Sequence, residues 1–168
     1  HLEDSRVTGK PLGVLCLGLQ GLRQVRIRAG YAAMDDLMAQ AADRVREVLR
    51  AGDEMVELGS GDFALVLPGL RDGSHAMLAA SKLLRQFEAP IIAGGQPVLV
   101  AVAVGIAMYP EHGDSAEALC RQAEQAMMQA RQLPDRMLLG GTPVQAAGID
   151  AAELLQAINA GQLLMHLQ

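Results

Sequence analysis

The residues able to do chemistry in this chain are few: a lone carboxylate beside a glycine turn, an Arg-x-x-Asp quartet, and single cations on helical stretches. Asp62 stands in Gly59-Ser60-Gly61-Asp62-Phe63, between two short apolar runs at 54–58 and 63–67, the second closed by Pro68-Gly69. Two such runs joined by glycines read as a β-hairpin with Asp62 next to its tip. A carboxylate there can ligate a cation, or it can simply stabilise the turn. Arg50-Ala51-Gly52-Asp53 sets a fork of guanidinium donors beside a second carboxylate, and such a fork suits planar, bidentate acceptors. Arg131, near the end of a helical pattern, can meet a phosphate or stand solvated at the helix end. Cys16 and Cys120 have no Cys-x-x-Cys partners, and His1, His75, His112 and His166 lack ligand spacing, so no zinc site is expected.

These groups need elements to hold them. At 168 residues the chain can bury the core of one domain with a modest appendage. Apolar residues make up 51% and aromatics only 2%, which excludes a disordered chain and predicts a core of Leu, Val, Ala, Ile and Met. The net charge is −5 and the cations are spread singly, which argues against nucleic acid as a partner. The isolated cysteines read as buried free thiols, as in a reducing cytoplasm. The longest apolar run, 98–109, is too short to span a bilayer, so no membrane contact is expected from this segment. No signal peptide is visible, and the abrupt start reads as that of an excised fragment.

Residues 1–10 are polar, the end of a helix or a lead-in loop. Residues 12–19 form a continuous apolar run, as expected of a central strand covered on both faces. Between 31 and 50, Met34, Leu37, Met38, Ala41, Val45, Val48 and Leu49 recur at helical spacing, with Asp43, Arg44, Arg46 and Glu47 largely opposite. The hairpin follows, then a helix over about 74–87 with Met77, Leu78, Leu84 and Phe87 inward. Ile91-Ile92, Gly94-Gly95 and residues 96–106 give strand, turn and strand. Asp114-Ser115-Ala116-Glu117 reads as a capping box in which Asp114 bonds the early amides. It opens a helix carrying Leu119, Ala123, Ala126, Met127 and Ala130, and an edge strand follows near Met137-Leu138-Leu139. The order βαββαββα predicts an α+β domain, an antiparallel-rich central sheet with flanking helices of ferredoxin-like type.

Residues 11–138 resemble the GGDEF, or diguanylate cyclase, family, whose enzymes join two GTP molecules into cyclic di-GMP. The likeness rests on the turn Gly59-Ser60-Gly61-Asp62-Phe63, the strand from Pro11 to Leu19, the stretch from Arg26 to Asp35, and Ala126-Met127-Met128-Gln129-Ala130-Arg131. It implies a nucleotidyl cyclase-like fold. Gly61 falls where the family has a metal-binding acid that is also the proposed base, and Gly18 where it has an Asp that holds magnesium. Leu19 would supply only a backbone carbonyl. The resemblance therefore implies that magnesium, expected in active members, has lost both its carboxylate ligands here, so no cofactor and no metal are expected. Asp62 takes the place of the signature Glu, where it would be a displaced ligand or a turn residue. Glu57 replaces an Arg, Arg26 an Asn, Tyr31 a His, Met128 a Tyr, and Asp135 an Arg. Asp35 matches and would accept hydrogen bonds from a guanine edge, or simply favour the first turn of its helix. Arg131 stands for the phosphate-binding Lys. Arg50 and Asp53 match the family's inhibitory site for cyclic di-GMP, or persist there as a helix-end Arg and a turn Asp.

Gly140 to Gly148 reads as a linker, which places one domain at 1–139. Asp150-Ala151-Ala152-Glu153 then caps a helix bearing Leu154, Leu155 and Ile158, and Gly161-Gln162-Leu163 to Gln168 looks like a first strand. Residues 149–168 resemble the opening of an EAL domain, the cyclic di-GMP phosphodiesterase fold, which implies a GGDEF–EAL tandem. The expectation is a catalytically inactive regulatory or structural domain of bacterial cyclic di-GMP signalling, not an enzyme itself, in the cytoplasm beside an EAL domain. A homodimer is the other candidate partner, and cyclic di-GMP and GTP are the candidate ligands. Two alternatives stay open: a weak diguanylate cyclase using Asp62, and a GTP or cyclic di-GMP receptor.

Overall fold

In the computed structural model, residues 1–141 are described. A short helix α1 (Leu2–Thr8) leads into β1 (Leu12–Gln20), α2 (Leu22–Arg46), the hairpin β2 (Glu54–Gly59) and β3 (Asp62–Pro68), then α3 (Gly73–Gln86). A small hairpin, β4 (Ile91–Ala93) and β5 (Gln96–Val98), precedes β6 (Ala101–Tyr109), α4 (Ala116–Ala130) and β7 (Met137–Leu139). The main sheet has the order β2-β3-β1-β6-β7, antiparallel except for the parallel β6–β7 pair. This is the α+β arrangement that the sequence predicts.

The continuous apolar run of β1 is explained by its place. It lies between β3 and β6 and is buried from Leu12 to Leu19. Its odd positions, Leu15, Leu17 and Leu19, meet Phe63, Leu65, Leu67, Val104 and Ile106 under α2 and α3. Its even positions, Leu12, Val14 and Cys16, meet Ala103, Ala107, Leu119, Ala123 and Met127 under α4. The alternation of strand side chains thus divides the core in two. Gly105 lets α4 approach β6 closely, because a Cβ there would run into the backbone of Ala123 and Met127. All five inward residues expected of α4 are buried.

Several local expectations need correction. The helix expected over 31–50 is α2. It starts nine residues earlier, at Leu22, and ends at Arg46, with a break at Gly30 (φ 82°, ψ −178°). Gly30 is thus a kink between two helical pieces. The cap of α4 is Ser115, whose side chain accepts from the Ala118 amide, so Asp114 does not cap it. Asp72, before α3, accepts from the His75 amide in the same way. In α3, Ala76, Ala80 and Leu83 are buried, whereas Leu78 points out at 55% exposure. The run 96–106 is not one strand: β4 and β5 form a separate two-stranded ribbon and β6 joins the main sheet. Cys16 is buried, but Cys120 is only half-buried. Burial pushes the Cys16 thiol up to about 12, with Glu124, Cys120 and Asp62 adding to it, which leaves it inert. At the first residue of the expected linker, the Gly140 amide donates to the Ile106 carbonyl at 2.6 Å. Leu154, Leu155, Ile158 and the expected domain start at 149 lie outside the described residues.

Candidate functional site

The hairpin tip is built by glycine. Gly59 pairs with Asp62, leaving Ser60 and Gly61 as a two-residue loop with φ values of 56° and 89°. Two positive φ angles in a row match the type I′ geometry that suits strand twist. The tip is tied to β1 by the Leu19 amide, which donates to the Gly61 carbonyl at 3.0 Å. Register then places Gly18 directly opposite Asp62, both on the α4 face of the sheet.

Into that gap comes Arg131, the C-cap of α4. Its Nη2 lies 3.6 Å from Asp62 Oδ1, and the two side chains are 27% and 32% exposed. Arg131 thus stands at the helix end, but its side chain is turned toward Asp62 and only partly solvated. Nor is Asp62 only a turn residue. Burial pushes its carboxyl above the ordinary carboxylate range, and Arg131 pulls it back only in part. The ion pair is too long to offset the lost hydration. Two further groups gather here without a sequence signal. Arg136 Nη1 donates to Gln20 Oε1 at 3.4 Å and to the Arg131 carbonyl at 3.2 Å. Gln20 Nε2 and Arg131 Nε are buried without a partner. Gln20 closes β1 and Arg136 follows a turn more than a hundred residues later, so only the sheet brings them together.

A divalent metal does not fit this residue set. Among the described residues no group of three or more His, Cys, Asp or Glu could hold a metal ion. The space in front of Gly18 is taken: a Cβ there would stand 2.8 Å from Arg131 Nη2 and 2.9 Å from Asp62 Oδ1, and would strike Met127 Sδ. At Gly61 a Cβ would strike Leu22 Cδ1. The remaining carboxylate is already paired with a cation.

The residues aligned with guanine recognition come together in part. Arg26 and Ser60 line a shallow cleft of about 220 Å³ with Leu22, Arg23 and Met34. Arg26 lies over the ring of Tyr31 at 5.8 Å, a cation–π distance. Asp35 is exposed on α2 and does not line that cleft. Glu57 and Asp135 are exposed.

The Arg50–Asp53 corner is a different kind of site. Asp53 is only 5% exposed and its carboxylate accepts from the Arg50 amide at 2.8 Å, from Nε at 3.3 Å and from Nη2 at 3.2 Å. Arg50 itself is 61% exposed. Both residues border a groove of about 200 Å³ with a floor that includes Leu49, Leu67 and Leu83. His75 and Lys82 stand on its rim, and nothing in their sequence context marks them. An apolar floor with cations at the edge can hold a flat anionic ligand.

This sheet order, with a signature hairpin beside the central strand, defines a cyclase-like α+β domain. The chain belongs to the family described as "Diguanylate cyclase, GGDEF domain", which it matches over residues 1–136. The diguanylate cyclase TpbB of Pseudomonas aeruginosa is 34% identical over 131 residues, covering 77% of this chain and 30% of that protein. The cyclic di-GMP phosphodiesterase NbdA of the same organism is 29% identical over 175 residues, covering 100% of this chain and 22% of that protein. The crystal structure of the TpbB GGDEF domain superposes with a TM-score of 0.80 at 33% identity, over 84% of this chain and 89% of that one. The chain thus spans about a third or less of the length of these curated relatives. It is a GGDEF domain of the cyclic di-GMP signalling class. No helix among the described residues is long and apolar enough to cross a membrane.

Proposed function

We propose that this domain makes no cyclic di-GMP and serves as a regulatory module for a phosphodiesterase domain carried on the same chain. The observation that carries the reading is the tip itself: glycine at 18 and 61, with the gap before Gly18 filled by the Arg131–Asp62 pair. Phosphoryl transfer from GTP relies on carboxylate-held metal to spread the developing charge. This set of residues offers a paired Asp62 and no second acid. The match to NbdA, a phosphodiesterase, runs through the residues beyond 141 and supports an EAL domain as the neighbour. A short tether keeps such a neighbour at high effective concentration, so contact alone can pass a signal. The test is made on the tandem chain that this reading implies. Deleting residues 1–139 should change its rate of cyclic di-GMP hydrolysis or that rate's response to GTP. An unchanged rate and response would reduce the domain to inert scaffold.

A second reading, a receptor for cyclic di-GMP, is favoured by the groove at Arg50, Asp53, His75 and Lys82. Arg50 is exposed enough to turn from Asp53 to a phosphate. Calorimetry with cyclic di-GMP decides it: heat of binding that vanishes in Arg50→Ala supports the receptor, and no heat at all leaves regulation by contact.

A further inference from the structure

A cavity of about 600 Å³ lies between the first piece of α2 and the β4–β5 ribbon, larger than both the Arg50 groove and the cleft at Arg26. The ribbon's turn rests on α2, where a Cβ on Gly94 would stand 3.0 Å from Ala33 Cβ. Toward Gly21 and Leu99 the helix and ribbon leave the space that forms the cavity. Buried Val25 and Ala93 form its floor, with Gln24, Arg28 and Gln96 exposed around it and Leu99, 72% exposed, at its mouth. None of the residues lining it is an acid. The lack extends well beyond them: residues 9–34 and 89–110 contain no Asp or Glu, in a chain whose net charge is −5. Arg23, Arg26 and Arg28 fall in the first of these stretches, and none of the three has an ion pair among the described residues. The local field is therefore opposite in sign to that of the whole protein. The cavity is also separate from the cleft at Ser60, because Gln24, Val25 and Arg28 line the former whereas Leu22, Arg23 and Arg26 line the latter.

We propose that this cavity binds a small organic carboxylate, with the anionic head at Arg28 and an apolar body over Val25 and Ala93. Charge selects the head: Arg28 has no acidic partner, and its planar fork suits a carboxylate. Gln24 and Gln96 add amide donors and acceptors that orient it. The floor selects the body, since apolar surface laid over Val25 and Ala93 leaves water. An extended peptide is a poorer occupant. β5 is only three residues long, and its middle residue, Pro97, has no N–H with which to pair an added strand. The other wall is helix, whose backbone groups are already bonded within α2. Recognition therefore falls to side chains, and the volume lies within the range of small-molecule pockets.

The probes are octanoate, 1-octanol and octylammonium, which share one chain and differ in the charge of the head. Each is titrated into the isotope-labelled 168-residue chain and followed by amide chemical shifts. Octanoate at millimolar concentration should shift the amides of residues 24–29, 93–96 and 98–99 saturably. It should bind about tenfold tighter than octanol, the worth of one charge-assisted contact, and octylammonium should bind weakest. Arg28→Gln should remove the advantage of octanoate and leave octanol binding unchanged. Arg23→Gln, outside the cavity, should alter octanoate binding by less than about twofold, because an exposed charge not in contact is screened. Both arginines are exposed, so neither change threatens the fold. Equal affinity of wild-type protein for octanoate and octanol would overturn the proposal. So would an advantage of octanoate that survives Arg28→Gln, or octanoate shifts centred instead on the groove at residues 48–53 and 75–83. The absence of saturable shifts with all three probes would also overturn it, and would leave this face to a macromolecular partner. No probe is a nucleotide, so the outcome is independent of whether the domain makes or binds cyclic di-GMP.

Discussion

The hairpin tip and the Arg50–Asp53 corner both hold an arginine against an aspartate, yet they are opposite constructions. At the tip the partners come from strand and helix, 69 positions apart, and meet at 3.6 Å with both side chains about a third exposed. At the corner they are three residues apart, and Asp53 is almost wholly buried while Arg50 reaches into solvent. The corner's aspartate accepts three N–H donors, including a main-chain amide, so it builds the turn that ends at β2. The tip's aspartate is pushed toward its neutral form by burial. A local turn can thus be kept by its own hydrogen bonds, whereas a long-range pair persists only while the sheet and α4 hold it. The comparison teaches which remnant is structural by itself and which depends on its surroundings.

The largest way to separate the two is Gly105→Ala. The new methyl meets the α4 backbone, which cannot rotate away, so the helix must lift. Thermal unfolding should show a loss of about 3 kcal/mol, the upper part of the range for overpacked cores. Amide signals should shift around Arg131 and Asp62 but not around Arg50 and Asp53. Equal disturbance of both regions would show that they are coupled.

Next comes Asp53→Ala. It strips the Arg50 amide of its acceptor and should cost about 2 kcal/mol in chemical denaturation. Asp62→Ala should cost less than about 1 kcal/mol, because a long, partly solvated pair is worth little. A larger loss for Asp62 than for Asp53 would reverse the comparison.

A smaller effect distinguishes them by pH. The carboxyl of Asp62 is raised in the folded state, so the native protein holds that proton more tightly than the unfolded chain. Its contribution to stability therefore falls as pH rises through the window just above the ordinary Asp range, and is most favourable below it. Asp62→Asn should flatten that part of the pH–stability profile. Asp72 carries the opposite sign: its hydrogen bonds to His75 hold it low, so its contribution is present above the ordinary range and lost on acidification. A profile for Asp62→Asn that tracks wild type through the pH range just above the ordinary Asp value of about 3.9 would contradict the assignment.

How much of this was legible in the sequence follows from range. The hairpin, the central strand β1, the inward face of α4 and the edge strand β7 were all readable, because each is set by local pattern and turn chemistry. The first half of α2 was not, since the helical spacing read from the sequence begins only after the kink at Gly30. Leu78 misled because α3 buries small residues, Ala76 and Ala80, against the core and turns that leucine out. Asp62, Arg131, Arg50 and Asp53 were identifiable by type and position. That Arg131 fills the space of Gly18 was not, because nothing in a glycine's neighbours along the chain says what crosses over it. Gln20 and Arg136 were invisible for the same reason. Among the groove residues, His75 and Lys82 sit on an ordinary amphipathic helix, and only folding puts them beside Arg50.

The claim at the centre is that the tip cannot run the family's reaction, and product formation tests it most directly. Concentrated protein is incubated with GTP and magnesium, and separately with manganese, and cyclic di-GMP is sought by chromatography. Loss of preorganised charge stabilisation at two positions should lower the rate by on the order of a thousandfold or more, to no product above a protein-free blank. Cyclic di-GMP that accumulates with wild-type protein and disappears with Asp62→Ala would contradict the account and make this domain a weak cyclase.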